Sequence, residues 1–411
     1  MTSQLAVELD QADVLAHKRQ EFKLDPGLIY LDGNSLGALP LACIERARDV
    51  VENQWGRDLI SSWNTHHWIE LPAQVGEKIA PLLGAATGQV ICCDSISVNL
   101  FKILSCAISM RPARRLILSQ HDNFPADLYI AQGLSEMLGA ENCELQLVND
   151  PEIEGNITEE VAVVVLTHVN YKSGKLHNIE RITHLAHEKG ALVIWDLAHS
   201  TGVLSLEIDK WNVDFAVGCG YKYLNGGPGS PAFIYAATRH HNAIKQPLTG
   251  WMGHSQPFAF SKQYQPASGV QQFLSGTPGI LSMSVLDAAM EVYAGVDLHQ
   301  VRDKSISLGE LFLALVNEKQ ELSSLILSSP AQSADRGSQL AFSHPHAFDI
   351  SQALIDAGIV VDFRSPDILR FGFAPLYVSH FDVYKAVQVL AEIVSKKIYL
   401  NHKYGMRQKV T

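Results

Sequence analysis

The sequence predicts an α/β protein, a large domain on a mostly parallel sheet flanked by helices and then a smaller α+β domain. Three observations carry this. Strand-like runs alternate with helical periods between residues 89 and 237, the pattern of βαβ units. The run VAVVVLTHV at 161–169 has no polar face, as expected of a strand covered by helices on both sides. Beyond residue 280 the texture changes to a strand–helix–strand–strand–helix order.

The elements follow in chain order. Helical periodicity marks 3–19, 41–56 and 73–85. QVICC (89–93) reads as a strand and SVNLFKILSCAISM (97–110) as a helix. RRLILS is a strand, and the helix over 124–140 carries Pro125 in its first turn, where a missing N–H costs nothing. CELQLV and 161–169 are strands, and IERITHLAHEKG is a helix closed by Gly190. ALVIWDL, VDFAVGC and PAFIYAA are strands. A long helical region spans 282–318, and a serine-rich loop covers 323–338. SQLAFSH, FDISQALIDAG, VVDFR, LRFGFAP and DVYKAVQVLAEIVSKKI complete the smaller domain, and the tail NHKYGMRQKVT reads as frayed.

Bulk composition narrows the function. A chain of 411 residues is long for one simple core, so two domains are expected. Hydrophobic residues at 47% and charged residues at 18% describe a globular chain. A net charge of −11 argues against nucleic-acid or anionic-membrane partners, which need a basic surface. The six cysteines form no C-x-x-C pair, which fits a reducing, cytoplasmic setting. The first residues carry acidic groups and no apolar core, so no signal peptide is expected, and no run is long enough for a membrane span.

Ligands of open parallel sheets sit beyond the carboxyl ends of the strands. Asp196 lies there, after the apolar VIW, and Lys222 lies after the next apolar run, between Tyr221 and Tyr223 and before NGGPG. Each has a plainer reading alone: a capped turn for Asp196, a solvated surface lysine for Lys222. Together they match what pyridoxal phosphate requires. A desolvated lysine holds the aldehyde carbon as a Schiff base, and a carboxylate keeps the pyridine nitrogen protonated. The phosphate needs its own cradle, and CCDSISVNLFK places Ser95 and Ser97 at a helix start. Ser97 reads equally as an N-cap, and Phe124 as either a ring-stacking residue or core. No G-x-G-x-x-G follows a strand, and no G-K-[ST] or H-E-x-x-H occurs. His184 and His187 share a helix face without an evident third ligand, so no metal site is expected.

The chain resembles the kynureninases, pyridoxal-phosphate enzymes of the type I aspartate-aminotransferase fold, and most closely their bacterial members. The resemblance rests on YLDGNSLG (30–37), SISVNLFKIL (95–104), NFPADLYIAQ (123–132), LTHVNYKSGKLH (166–177), WDLAHSTG (195–202), GCGYKYLNGGPGSPAFIY (218–235), GWMGH (250–254), SGTPGIL (275–281) and LRFGFAPLY (369–377). It implies a seven-stranded sheet and the boundaries 1–55 (an N-terminal segment packing with the small domain), 56–295 (the cofactor domain) and 296–411 (the small domain).

The roles it implies are specific. Lys222 is the Schiff-base lysine, Asp196 pairs with the ring nitrogen, and His199 and Asp127 lie close by. Phe124 stacks on the ring, Ile96 and Ser97 hold the phosphate, and Thr167 lines the site. Tyr221 bonds the phosphate and relays a proton. Trp251 and Thr277 complete the phosphate site from the other subunit of a homodimer. Arg370 grips the substrate's α-carboxylate in a bidentate pair, with Asn34 also at the substrate and Trp63 over its aryl ring. Ala126 departs from the serine or threonine that family members often carry there, which touches one minor cofactor contact. The reaction implied is hydrolytic Cβ–Cγ cleavage of L-kynurenine to anthranilate and L-alanine, in tryptophan degradation or NAD biosynthesis. Trp63 and Thr277 tilt the reading away from the 3-hydroxy substrate. The alternative is another enzyme of the fold, a class V aminotransferase or a cysteine desulfurase. All six cysteines lie at or before Cys219, against a desulfurase's late catalytic cysteine.

Overall fold

The structure, a computed structural model, describes residues 2–406. Its centre is a seven-stranded sheet in the spatial order Val90–Cys92, Ala232–Ala236, Phe215–Cys219, Leu192–Asp196, Val161–Thr167, Leu116–Gln120 and Glu144–Val148. Six strands run one way, and Ala232–Ala236 runs against both of its neighbours. The turn over 220–231 returns the chain beside the strand it has just left, so no crossover helix makes these two parallel.

Period-two alternation explains why the inner strands read as continuous apolar runs. Val164, Leu166, Val193, Trp195 and Ala216 face one apolar cluster. Val163, Val165, Leu192, Ile194, Phe215 and Val217 face the other. Helices Ile96–Ser109 and Pro125–Leu138 cover the second face. Helices Leu71–Leu83, Ile179–Glu188 and Ile280–Ala289 cover the first, whose core continues into the C-terminal part of the chain. Gly76 lets the helix Leu71–Leu83 lie against the sheet, because a Cβ there would run into the Val90 carbonyl.

A second, four-stranded antiparallel sheet orders Asp362–Arg364, Ile368–Gly372, Gln339–Ser343 and Ile326–Leu327. Helices Leu298–Asn317, Ala347–Asp356 and His380–Ser395 complete this part. The N-terminal residues are tied to it. Ile29–Tyr30 pairs in parallel with Ile359–Val360. Asp13 and Lys304 form a buried ion pair of 2.6 Å. Asp10 holds His380 at 2.9 Å and Arg19 holds Asp382 at 2.5 Å.

Several elements differ from expectation for local reasons. The helical region 282–318 is two helices, broken where Gly295 takes a positive φ of 71° and Asp297 caps the second by accepting from His299 N. VVDFR splits in two, because residues 359–360 pair with the N-terminal strand and 362–364 with the antiparallel sheet. The first helix stops at Ala12, and 41–56 leaves α geometry after Asp49 for a wider turn. The serine-rich loop contributes the edge strand Ile326–Leu327. In the tail, His402–Gly405 is an ordered turn whose Tyr404 hydroxyl donates to Asp356 at 2.8 Å, while residues 407–411 lie outside the described residues. All six cysteines are buried and unpaired. No helix of the described residues is long and apolar enough to cross a membrane.

The antiparallel sheet packs on Phe312, fully buried and 4.5 Å from the Phe371 ring, with Phe342 and Phe373 beside it. Phe312→Ala is expected to cost about 3–5 kcal/mol of stability, measured by chemical denaturation at equilibrium. A loss below about 1 kcal/mol would mean that this cluster does not anchor the sheet.

Candidate active site

The carboxyl ends of three adjacent parallel strands meet at one place. Thr167 ends its strand in register with Asp196, and Asp196 pairs with Val217, two residues before Cys219 ends the next strand. Lys222 follows on the loop. This parallel pairing is what aims a carboxylate and an amine, 26 residues apart in sequence, out of neighbouring strand ends.

Asp196 is 3% exposed, and its Oδ1 accepts from the Ala198 N–H at 2.8 Å. Asp127, in the first turn of the helix Pro125–Leu138, is 2% exposed and meets the Asp196 carboxyl. Burial raises both acids. Asp127 rises far above the usual carboxylate range, because the neighbouring Asp196 adds to desolvation. The Lys222 charge and the Ala198 N–H pull Asp196 back. The pair therefore holds a proton that two solvated aspartates would release.

The Lys222 amine is buried, and among the described residues it forms no hydrogen bond or ion pair. Desolvation lowers its pKa, opposed by Cys219 and Asp196. Such an amine is closer to its neutral, nucleophilic form than a surface lysine. It lies 5.8 Å from the Phe124 ring centroid and 6.0 Å from that of Tyr221. Burial, with Cys219 and Asp196, keeps the Tyr221 hydroxyl protonated. His199 is buried with an unpartnered Nδ1, and burial beside Lys222 keeps its ring neutral.

The loop is shaped by its neighbours. Gly37 donates its N–H to the Tyr221 carbonyl at 2.8 Å, and a Cβ on it would strike the Lys222 carbonyl and Asn225. The glycine in YLDGNSLG is thus where the N-terminal segment presses on the lysine loop. Asn123 accepts at Oδ1 from both the N–H and the hydroxyl of Thr167, at 2.8 and 2.6 Å, which orients that threonine towards Asp127.

These groups fit a phosphorylated pyridine. The Asp127–Asp196 pair suits a nitrogen-borne charge, the amine lacks a partner, and polar atoms of His199, Asn225 and Ser230 are buried without one. The helix Ile96–Ser109 supplies an anion cradle. Ser95 is its N-cap, accepting from Val98 N, so Ser97 is not the cap but lies in the first turn. The N–H groups of Ile96 and Ser97 there have no intrahelical acceptor.

Arg370 differs most from expectation. It is 1% exposed, and its outer nitrogens are already engaged. It donates to the Tyr171 carbonyl, to Ser35 Oγ at 3.1 Å, and to Asp362 in a short buried ion pair. An unobstructed bidentate grip on a carboxylate is not available, since Asp362 occupies one nitrogen. Tyr171 in turn edges onto Phe124 at 5.3 Å, linking the arginine to the lysine site. Asn34 is buried beside it, donating to Gln339 at 3.1 Å.

Trp63, Trp251 and Thr277 are not joined to the lysine by any contact among the described residues, and neither are Ile96 and Ser97. Trp63 packs edge-on against Trp68 at 5.8 Å. Trp251 packs on Phe258 and Phe260, and Thr277 is exposed ahead of the helix Ile280–Ala289. Sequence reasoning missed Asn123, Gln339 and Asp362. The first sits inside a quoted motif and was legible there; the other two carry no local signal.

Similarity to known proteins gives a separate line of information. Residues 301–390 match the family described as the kynureninase C-terminal domain. A kynureninase of Pseudomonas fluorescens is 45% identical over 408 residues, 98% of each chain. One from Burkholderia pseudomallei (strain 1106a) is 45% identical over 415 residues, all of both chains. Among solved structures, an apo cysteine desulfurase from Thermococcus onnurineus NA1 superposes with a TM-score of 0.76 at 20% identity, covering 92% of this chain and 98% of that one. The Escherichia coli cysteine desulfurase CsdA gives 0.77 at 21%, covering 93% and 98%. At such identities the desulfurases share the fold alone, whereas the full-length relatives decide the lineage: the chain belongs to the kynureninase family.

Proposed function

We propose that the chain is a pyridoxal-phosphate-dependent hydrolase that cleaves the Cβ–Cγ bond of L-kynurenine, releasing anthranilate and L-alanine. The observation that carries this is the buried, unpaired Lys222 amine facing the Asp196–Asp127 carboxyl pair, in a chain 45% identical to kynureninases along its length.

Bound at this site, pyridoxal phosphate supplies an electron-accepting ring that acidifies the substrate's Cα proton and lets water cleave the γ-ketone. The chain's residues do the rest. Ile96 and Ser97 bind the phosphate through backbone N–H groups at a helix N-terminus. Asp196, steadied by Ala198 N and Asp127, holds a proton at the ring nitrogen. Phe124, Thr167 and His199 would line the cofactor's site. Lys222, its proton affinity lowered by burial, takes the Cα proton and returns it. Tyr221, kept protonated by burial, donates a proton as water adds and the carbon–carbon bond breaks. Arg370 takes the α-carboxylate once Asp362 yields a nitrogen, with Asn34 beside it.

The excursion over 250–276 supports a homodimer with shared sites. Phe258 and Phe260 are 56% and 76% exposed around Trp251, an apolar surface suited to a second copy. Trp251 and Thr277 would then reach the partner's phosphate site, and Trp63 would cover the substrate's aryl ring. The ties from Asp10, Asp13 and Arg19 support an N-terminal segment packing on the small domain, with the divisions proposed at 55 and 295. The cytoplasm, and tryptophan degradation or NAD biosynthesis, are the proposed setting.

Incubating the protein with pyridoxal phosphate and L-kynurenine should produce anthranilate fluorescence and L-alanine in equal amounts. Amino transfer dependent on a keto acid, without anthranilate, would replace this reading with the aminotransferase one. Turnover of 3-hydroxykynurenine is expected to have the lower kcat/KM. Lys222→Ala should abolish the borohydride-reducible cofactor absorbance and turnover together. Arg370→Ala should lower kcat/KM by about 2–5 kcal/mol, expressed chiefly in KM, because it removes the partner of a desolvated carboxylate. An unchanged KM would take Arg370 out of the substrate site.

A further inference from the structure

Behind Arg370 lies a cluster of charges that the reaction as described does not use. Asp362, 1% exposed, sits between two guanidinium groups, with Arg370 on one side and Arg364 Nη2 at 3.0 Å on the other. Ser35 Oγ donates to Asp362 at 3.1 Å and accepts from both arginines. A second acid, Asp32, joins from the turn after the strand Ile29–Tyr30, and it bridges in parallel to Gly372 at the end of the Arg370 strand. Its Oδ1 is buried and has no hydrogen-bond partner.

Above the titration of Asp32 the charges balance before any substrate arrives: two guanidinium groups against the carboxylates of Asp32 and Asp362. A substrate α-carboxylate makes three anions against two cations, where the burial of Arg370 and Asp362 weakens screening of the excess by water. An extra buried charge of this kind is relieved most readily by protonating one acid. Asp362 is held by both arginines and Ser35, whereas Asp32 has an oxygen without a donor. Resting on the reading of Arg370 as the α-carboxylate site, we propose that docking of the substrate carboxylate is coupled to uptake of one proton by Asp32.

The groups facing Asp32 from each packed element are Ser35 on its own turn, Asp362 and Arg364, Arg370, and the hydroxyls of Tyr30, Tyr223 and Tyr377. The three hydroxyls keep their protons through the neutral range, since burial raises all of them. Burial, reinforced by Asp362, pushes Asp32 up to about 7, so the proton comes and goes near neutrality. The sign follows. A third carboxylate raises the proton affinity of Asp32 further, so binding takes up a proton above its free titration and none well below it. Affinity for the carboxylate therefore falls as pH rises through that window.

The test uses the holoenzyme and 4-oxo-4-phenylbutanoate, which has the carboxylate and aryl ketone of the substrate but no amine to react at the cofactor. Calorimetric titration near pH 8 in buffers of different ionisation enthalpy should show uptake of about 0.5–1 proton per ligand, and Kd should rise towards about tenfold per pH unit above neutrality. Asp32→Asn should bind with no proton uptake and a pH-independent Kd. Binding by the wild type without net uptake, or the same uptake in Asp32→Asn, would overturn the proposal. Arg370→Ala separates the two readings. Lost ligand binding in that variant supports Arg370 as the carboxylate site whatever the proton count, and wild-type affinity there would remove the premise.

Discussion

The burial of a lysine amine against two carboxyl groups is the constraint around which this molecule is arranged. Removed from water, an amine binds its proton less tightly and a carboxyl group more tightly. Here the groups are brought together by the backbone of a parallel sheet. Thr167, Asp196 and Cys219 end three adjacent strands, so the groups that follow converge without any search by flexible side chains. Two apolar clusters, one on each sheet face, make those strand ends rigid.

Around that centre the chain places groups that set protonation states. Lys222 draws Asp196 down, Asp196 drives Asp127 up, and burial beside Lys222 keeps His199 neutral. One low-dielectric pocket thus holds an amine of lowered proton affinity, an acid pair of raised affinity and a protonated phenol, groups suited to moving protons. The second charged centre, around Arg370, is built differently. It belongs to the antiparallel sheet and the N-terminal turn, and its ions are paired with one another. The contact of Tyr171 with both Arg370 and Phe124 joins the two centres.

The N-terminal segment matters because it serves both centres. Ile29–Tyr30 adds to a strand of the C-terminal part, Asp32 and Ser35 enter the arginine cluster, and Gly37 presses on the lysine loop. Within eight residues the chain passes from one charged site to the other. A shift of the C-terminal part would therefore be felt at the Lys222 backbone through Gly37.

Much of this was legible in the amino-acid order. The alternating apolar runs announced a covered parallel sheet, because a strand buried on both faces cannot carry a polar side. Asp196 and Lys222 stood out because each ends such a run, and the glycines near them reported close backbone approach. Local caps and breaks were less visible: Gly295 divides a continuous helical period, and Ser95 rather than Ser97 caps its helix. What only the tertiary structure decided are the long-range charge partners. Asp362 lies eight residues from Arg370, on a neighbouring antiparallel strand, and Asp32 comes from the other end of the chain. Pairing between charges depends on distance and dielectric after folding, neither of which is written in local sequence. The order of residues therefore determined which groups could do the chemistry, and the packing of remote segments decided which partners each one has.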